Sequence, residues 1–415
     1  MVPDGWRHRT LGEVLRIASR AEEVADVATY RLMGVRWYGD GCHLHSTTVG
    51  RELRTKRLFR VAAGDITYNK MWVSKGAFAV VGKEHDGLFA TAEYPTFERT
   101  DDLVPEFFRY VMLSSGFQAA AQSRLKGSTS RARLNPKDFL QLRALLPPVP
   151  EQKKIAAILQ SVDNAIAKTQ AVIDQTEKVK KGLLQELLTR GMPGQHKRFK
   201  RTEIGELPES WSVMTIQEAL EKKHLLGVQD GNHGEQHPKA ADYRESGVPF
   251  IMARDIKNET IDFGSCTFIE QAQADGLRIG FARTGDVLLS HKGTVGTAGI
   301  VPRVDGYIML TPQVTYYRVG DGLMNRFLLR WLQGPIFQRQ LERVSRQSTR
   351  SYASISAQKE LPIAVPPLSE QERIAEFAES VAGSLRASQR NRMRLRQLKK
   401  GLAAGLLSGG LRFGA

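Results

Sequence analysis

Nine histidines and two cysteines are the first places to look for chemistry in this 415-residue chain. His43 and His45 flank Leu44 beside Cys42, and His233 and His237 stand four apart. On a helix the second spacing would put two imidazoles on one face, as a metal site needs. Gly231, Gly234 and Pro238 disfavour a helix there, and neither Cys42 nor Cys266 has a partner at metal or redox spacing. These residue types and spacings therefore predict two free thiols and no metal site. An adenine methyltransferase would need a loop of Asn or Asp, two prolines and an aromatic residue to hold a flipped base. Asn135-Pro136-Lys137-Asp138 fails at the second proline and at the aromatic residue. Gly293, Gly296 and Gly299 lack the dinucleotide spacing, and no Gly-Lys-Ser/Thr phosphate loop occurs. The three absences together predict a non-catalytic chain with no cofactor of its own.

The remaining polar residues suit recognition of a polyanion. A formal net charge of +16 favours a partner from which lysine and arginine release condensed counterions. Residues 205–365 hold 18 basic and 18 acidic side chains, yet within them Arg326, Arg330, Arg339, Arg343, Arg346 and Arg350 oppose only Glu342. Cations are thus gathered along one stretch of a neutral block, either as a solvated face or as a phosphate surface. Candidates for a groove in the first half of the chain are Arg36, Lys70, Trp72, Arg131 and Arg133, the last two following Gly127-Ser128-Thr129. Trp72 has core packing as its competing role. The equivalents in the second half are Lys292, Thr294, Arg346, Gln347, Ser348 and Arg350. Asp230, Asn232, His233 and His237 form a polar loop there, which either makes a turn or offers donors and acceptors to base edges.

The elements that must position these residues come from an internal repeat. Pro147, Pro148, Glu151, Gln152, Ile155 and Ala156 recur 219 positions later as Pro366, Pro367, Glu370, Gln371, Ile374 and Ala375. Lys180-Lys181-Gly182-Leu183 recurs at the same offset as Lys399-Lys400-Gly401-Leu402. Upstream, Phe117-Gln118 matches Phe337-Gln338, Ser128-Thr129 matches Ser348-Thr349, Gly64-Asp65 matches Gly285-Asp286, and Trp6 matches Trp211. The chain is two copies of one unit.

Each repeat ends in a regular segment. Ile155, Leu159, Val162, Ile166, Thr169, Ile173, Thr176, Lys180, Leu183 and Leu187 alternate spacings of four and three, the seam of a coiled coil. Ile374, Ala378, Val381, Leu385, Ser388, Arg392, Leu395, Lys399, Leu402 and Leu406 repeat it more weakly. Prolines precede each run, Ser369 with Glu372 reads as a capping box, and Gly191 and Gly409 end the runs. Seams interrupted by polar residues are best completed by packing the two helices on each other, antiparallel. Short β-type runs at 77–81, 248–252, 286–289 and 313–319, with helical stretches at 107–113 and 327–332, predict mixed domains with a largely antiparallel sheet.

The expectation is an α+β fold. Residues 1–147 and 205–365 are two similar domains, 148–192 and 366–410 two long spacer helices, 193–204 a basic linker and 411–415 a tail. No apolar run spans a membrane and the start lacks an export signal, so a soluble cytoplasmic protein is expected.

In its two Pro-Pro-x-x-Glu-Gln helix starts, its Lys-Lys-Gly-Leu-x-x-x-Leu-Leu endings, the Asp230-Gly231-Asn232-His233-Gly234 loop and the run from Gly285 to Gly296, the chain resembles the specificity subunit of type I restriction-modification systems. The resemblance covers nearly the whole chain. It implies two target-recognition domains, each reading one half of an asymmetric, interrupted double-stranded DNA sequence. It also implies helices that dock two methyltransferase (modification) subunits, joined by restriction (translocase and nuclease) subunits. S-adenosylmethionine, ATP and magnesium would bind those partners. The first domain departs from the pattern, offering only Tyr38-Gly39-Asp40-Gly41 in place of the Asp-Gly-x-His-Gly loop. A coiled-coil adaptor that organises proteins without reading DNA is the rival expectation, and it would show no steep salt dependence with DNA.

Overall fold

The structure, a computed structural model, describes residues 2–127, 132–346 and 352–412. It divides into two units, one of residues 1–170 with 390–415 and one of residues 171–389. Each unit thus takes one domain and a stretch of both long helices.

In the first unit Arg7–Thr10 pairs antiparallel with Arg143–Leu146 and closes the domain. Between them a four-stranded sheet runs in the order Leu15–Ile17, Thr96–Arg99, Ile66–Tyr68, Phe78–Val80. A five-stranded sheet runs Ala21–Glu23, Arg57–Arg60, Phe89–Ala90, Thr29–Val35, Cys42–Val49. Its one parallel pairing joins Leu32 to Phe89. Helix Pro105–Leu113 packs on the first sheet, and Tyr68, Phe78, Phe97, Phe107, Phe117 and Phe139 fill the space between, all nearly or fully buried. The aromatic volume explains why strands this short hold together: each large ring removed from such a core costs about 3 to 5 kcal/mol.

The second unit repeats the plan. Ser212–Thr215 pairs with Pro362–Val365. One sheet runs Leu225–Asp230, Val314–Val319, Val287–Ser290, Ala298–Ile300, and the other Thr267–Ile269, Val248–Ile251, Ile308–Leu310, Phe281–Ala282. Its one parallel pairing again falls between the equivalent strands, Val248–Ile251 and Ile308–Leu310. The duplicated Gly-Asp steps also match in role. Asp65 is bound by Arg20 and by the Ala62 amide, and Asp286 by Arg318 and the Arg283 amide. The runs read as β-type and helical from sequence all lie on such elements.

The long helices are Val149–Arg190 and Leu368–Ser408. Every predicted seam residue is at least half-buried. In the first unit Asp163 pairs with Lys399 at 2.6 Å and Gln170 with Arg392, so numbers rise on one helix as they fall on the other. In the second unit Leu183, Leu184 and Leu187 line one crevice with Phe377, Ala378 and Val381, again antiparallel. One detail of the sequence reading is corrected. The second helix begins at Leu368, which places Ser369 inside the first turn and not at the cap of a capping box.

The Glu-Gln pair of the repeat holds each helix start instead. Trp6 Nε1 donates to Glu151 at 3.0 Å and Trp211 Nε1 to Glu370 at 2.9 Å. Gln152 accepts from the Val104 amide and donates to the carbonyls of Asp102 and Pro147. Gln371 does the same with the amide of Met324 and the carbonyls of Gly322 and Pro366. Buried backbone groups outside a helix or ladder need such partners. The motif welds helix to domain twice over.

Candidate nucleic-acid interface

In each unit the connection between the two strands nearest the sheet's edge carries the candidate cations, and a second loop is tied to it. In the first unit the carbonyl of Lys70 accepts from the Leu134 amide at 3.2 Å. In the second the carbonyl of His291 accepts from the Ala353 amide at 3.0 Å. A backbone bridge between Lys126 and Arg133 closes the base of the second loop in the first unit, and one between Lys292 and Tyr352 adds a further tie between the two loops of the second unit. Arg131, Gln347, Ser348 and Arg350 lie outside the described residues. The described residues beside them, Leu134 in one unit and Tyr352 and Ala353 in the other, are the ones bonded to Lys70 and to His291 and Lys292.

In the second unit Lys292 and Thr294 are exposed, and the Lys292 ammonium stands 5.9 Å over the Tyr352 ring. His291 next to them is fully buried. Its Nδ1 meets the Thr315 hydroxyl at 2.7 Å, and its Nε2 lies 3.7 Å from Asp230 without a hydrogen-bond partner among the described residues. Burial pushes the His291 pKa down to about 4 against the opposing charge of Asp230. Asp230 is itself buried and holds His233 at 2.8 Å. Asp230 therefore orients the loop, and His233 is the exposed member of the pair.

Asn232 faces inward. Its amide nitrogen donates to the Ile279 carbonyl and its oxygen accepts from the Arg278 amide, so the side chain serves the loop's shape. Gly231 before it has no room for a side chain, because a Cβ would stand 1.8 Å from the Leu310 carbonyl oxygen. His237 packs 5.6 Å from Phe250, and its pKa is lowered first by burial and then by His233. A cavity of about 350 Å³ opens among His233, His237, Tyr243, Met252, Lys292 and Gln313. Arg346 lies exposed, paired with Glu342, on a larger cleft of about 1090 Å³ that also takes Lys180, Lys181, Arg339 and Gly293. The arrangement offers donors, cations and concave space to a polyanion.

In the first unit Lys70 is half-buried, and Arg133 is exposed with its guanidinium 3.3 Å from Glu93. Arg36 is exposed on a cavity of about 530 Å³ shared with His43, Glu84 and His85. Trp72 is on the surface, not in the core, and leans on Trp37. Trp37 and Tyr38 were not among the sequence candidates. Nothing in their spacing marks them, although Gly39-Asp40-Gly41 beside them is the composition of an exposed turn. Strand order also corrects the comparison of Tyr38–Gly41 with Asp230–Gly234. Tyr38–Gly41 joins Thr29–Val35 to Cys42–Val49, whereas Asp230 ends the strand equivalent to Leu15–Ile17. The counterpart of the Asp-Gly-x-His-Gly loop is accordingly the stretch that begins at Ala18. Among the described residues no group of three or more His, Cys, Asp or Glu is placed to hold a metal ion.

Two copies of one sheet-bearing unit, each with a matched pair of loops, define a protein with two similar recognition modules. Residues 3–178 and 208–392 match the family model of the type I restriction modification DNA specificity domain, and the chain belongs to that family. It is similar to the type I restriction enzyme MjaVIII specificity subunit of Methanocaldococcus jannaschii, with 27% identity over 70% of this chain and 67% of the relative. The putative MjaX specificity subunit of the same organism is 22% identical over 99% of this chain and 95% of its own length. Among solved structures, one of a type I R-M system superposes with a TM-score of 0.64 at 19% identity, covering 99% of this chain and all of that one. The S subunit from M. genitalium superposes at 0.56 and 12% identity, over 98% and 97% of the two chains. Both structures share the fold. The chain is thus a DNA-sequence specificity subunit, the non-catalytic component of a type I restriction-modification system. No helix among the described residues is long and apolar enough to cross a membrane.

Proposed function

We propose that each unit reads one half of an interrupted, asymmetric double-stranded DNA sequence, and that the paired helices dock two methyltransferase subunits, with restriction subunits joining the assembly. S-adenosylmethionine, ATP and magnesium belong to those partners, and the complex works in the cytoplasm. The observation that supports this most is the duplicated loop junction, Lys70 to Leu134 and His291 to Ala353. One backbone frame is kept in both units while the side chains it presents differ, as two unlike half-sites require. Arg36, Lys70, Trp72 and Arg133 serve one half, with Arg131. His233, Lys292, Thr294 and Arg346 serve the other, with Gln347, Ser348 and Arg350. Asp230, Asn232 and His237 shape that second surface.

Mapping the modified adenines in DNA exposed to the chain assembled with its methyltransferase partner tests the reading. The expected map is two short motifs with a fixed gap, together with an affinity that falls steeply with salt. Modification without sequence preference, or a flat salt response, would count for the adaptor. Lys292→Ala is expected to cost about 1 to 3 kcal/mol and to relax one motif only if Lys292 reads a base; a phosphate contact would weaken all sequences alike.

A further inference from the structure

Trp37, Tyr38 and Trp72 of the first unit are 43, 74 and 38% exposed, although tryptophan is ordinarily among the more buried residues. The rings form one cluster. Trp37 stands 4.9 Å from Trp72 with planes tilted by 45°, and 6.4 Å from Tyr38, edge to face. The turn that carries two of them is held from beneath. The Arg36 amide donates to the Gly41 carbonyl at 2.9 Å, and the Gly39 amide to the Gly76 carbonyl at 3.0 Å. Gly39 has a φ of 72°, and a Cβ there would strike Leu113. Tyr38 itself is left-handed at φ 58°, an uncommon conformation for a bulky side chain. A strained, fully anchored turn that displays its rings to solvent does nothing for the core.

Charge and position indicate what covers it. Arg36 and the exposed Lys75 flank the rings, Lys70 lies two residues before Trp72, and Asp40 is the one carboxylate on the turn. The patch is continuous with the Lys70–Trp72 loop already assigned to DNA. An aromatic face beside cations suits a base step bounded by phosphates, since every base offers a π-face and apolar wedges enter grooves. In the second unit the equivalent connection, from Val248–Ile251 to Thr267–Ile269, is built differently. Its Ile256–Lys257 and Thr260–Ile261 hairpin turns Glu259 onto Lys180, Arg330 and Arg386.

We propose that the Trp37–Tyr38 turn is a specificity-determining contact of the first unit, its rings packing against a base step while Arg36, Lys70 and Lys75 hold the flanking phosphates. This rests on the DNA-reading function proposed above.

The test uses the full chain assembled with its methyltransferase partner. Tyr38→Gly is the variant of choice, because glycine adopts the left-handed conformation freely and only the ring is lost. Trp37→Ala and the conservative Trp37→Phe accompany it. Tyr38→Gly and Trp37→Ala are expected to weaken cognate duplex binding roughly 10- to 100-fold. They should also relax the modified sequence in one half-site while leaving the other unchanged. Trp37→Phe should keep most of both, and the thermal midpoints should match wild type. Wild-type affinity and sequence choice in Tyr38→Gly and Trp37→Ala would overturn the assignment alone. So would loss of methyltransferase association with DNA affinity intact, which would make the patch a protein interface. A wild-type complex that selects no sequence would overturn the functional reading as well.

Discussion

Gln152 and Gln371 each serve three backbone groups with one fully buried amide, something no other side chain of that length can do. Gln371→Ala would leave the Met324 amide and the carbonyls of Gly322 and Pro366 without that partner. It is expected to cost about 2 to 4 kcal/mol, read as a shift of the denaturant midpoint, and a loss below half a kcal/mol would contradict the weld. His291 gives a prediction against pH. Buried beside Asp230, its ring is held to a pKa of about 4, whereas an unfolded ring titrates near 6.5. Between those values the unfolded chain takes up a proton that the folded unit refuses. Stability therefore falls as pH drops through that window and this contribution is level above it. His291→Asn should flatten that part of the profile of unfolding midpoint against pH, and parallel profiles for the two proteins would show that another group is responsible.

The hairpin Ile256–Ile261 of the second unit is a case where one charge docks an element. Glu259 sits at φ 69° on its tip, next to Asn258 at φ 52°, and meets Lys180 at 3.0 Å, Arg330 at 2.7 Å and Arg386 at 3.4 Å. Burial raises its pKa, but hydrogen bonds and charges from Arg330 and Lys180 win and bring it to about 2. Glu259→Gln should cost about 2 kcal/mol, less than the 3 to 5 of a fully buried pair because the carboxylate keeps some solvent. Faster backbone hydrogen exchange confined to the hairpin would be its signature, and unaltered exchange would dismiss the docking role. The sequence displayed the helices and the repeat because burial on a helix writes a spacing, as from Ile155 to Leu187. It did not display the hairpin's role or the Trp37 cluster, because docking and exposure depend on which strands become neighbours. The equivalence of Tyr38–Gly41 failed for the same reason: counterparts are defined by strand order, and string similarity followed the glycines instead. The clamp of Gln152 was visible as a motif, but its partners at 102 and 104 had no signal of their own.

At the scale of the molecule, neither unit is made from one half of the chain. The first unit's core includes Leu406, with Leu402 and Leu407 packed against it, and these come from the last helix. A fragment of residues 1–192 therefore lacks a piece of its own core, yet it carries a copy of that piece. The offset of 219 places Leu183, Leu187 and Leu188 where Leu402, Leu406 and Leu407 stand, and Lys180 where Lys399 meets Asp163. Two fragments can each lend the other this helix end, an isologous exchange with the symmetry of a twofold dimer. Leu184 replaces the smaller Ala403, and Ile173 replaces Arg392, so Gln170 loses its guanidinium partner and the fit is poorer than in the intact chain. Equilibrium sedimentation is expected to give twice the fragment's mass. Asp163→Lys, which would set a cation against Lys180, is expected to return the fragment to a monomer with its last helix frayed. A fragment that stays folded and monomeric at micromolar concentration would mean that the domain core needs nothing from the second helix, and that the duplicated seam serves partners alone.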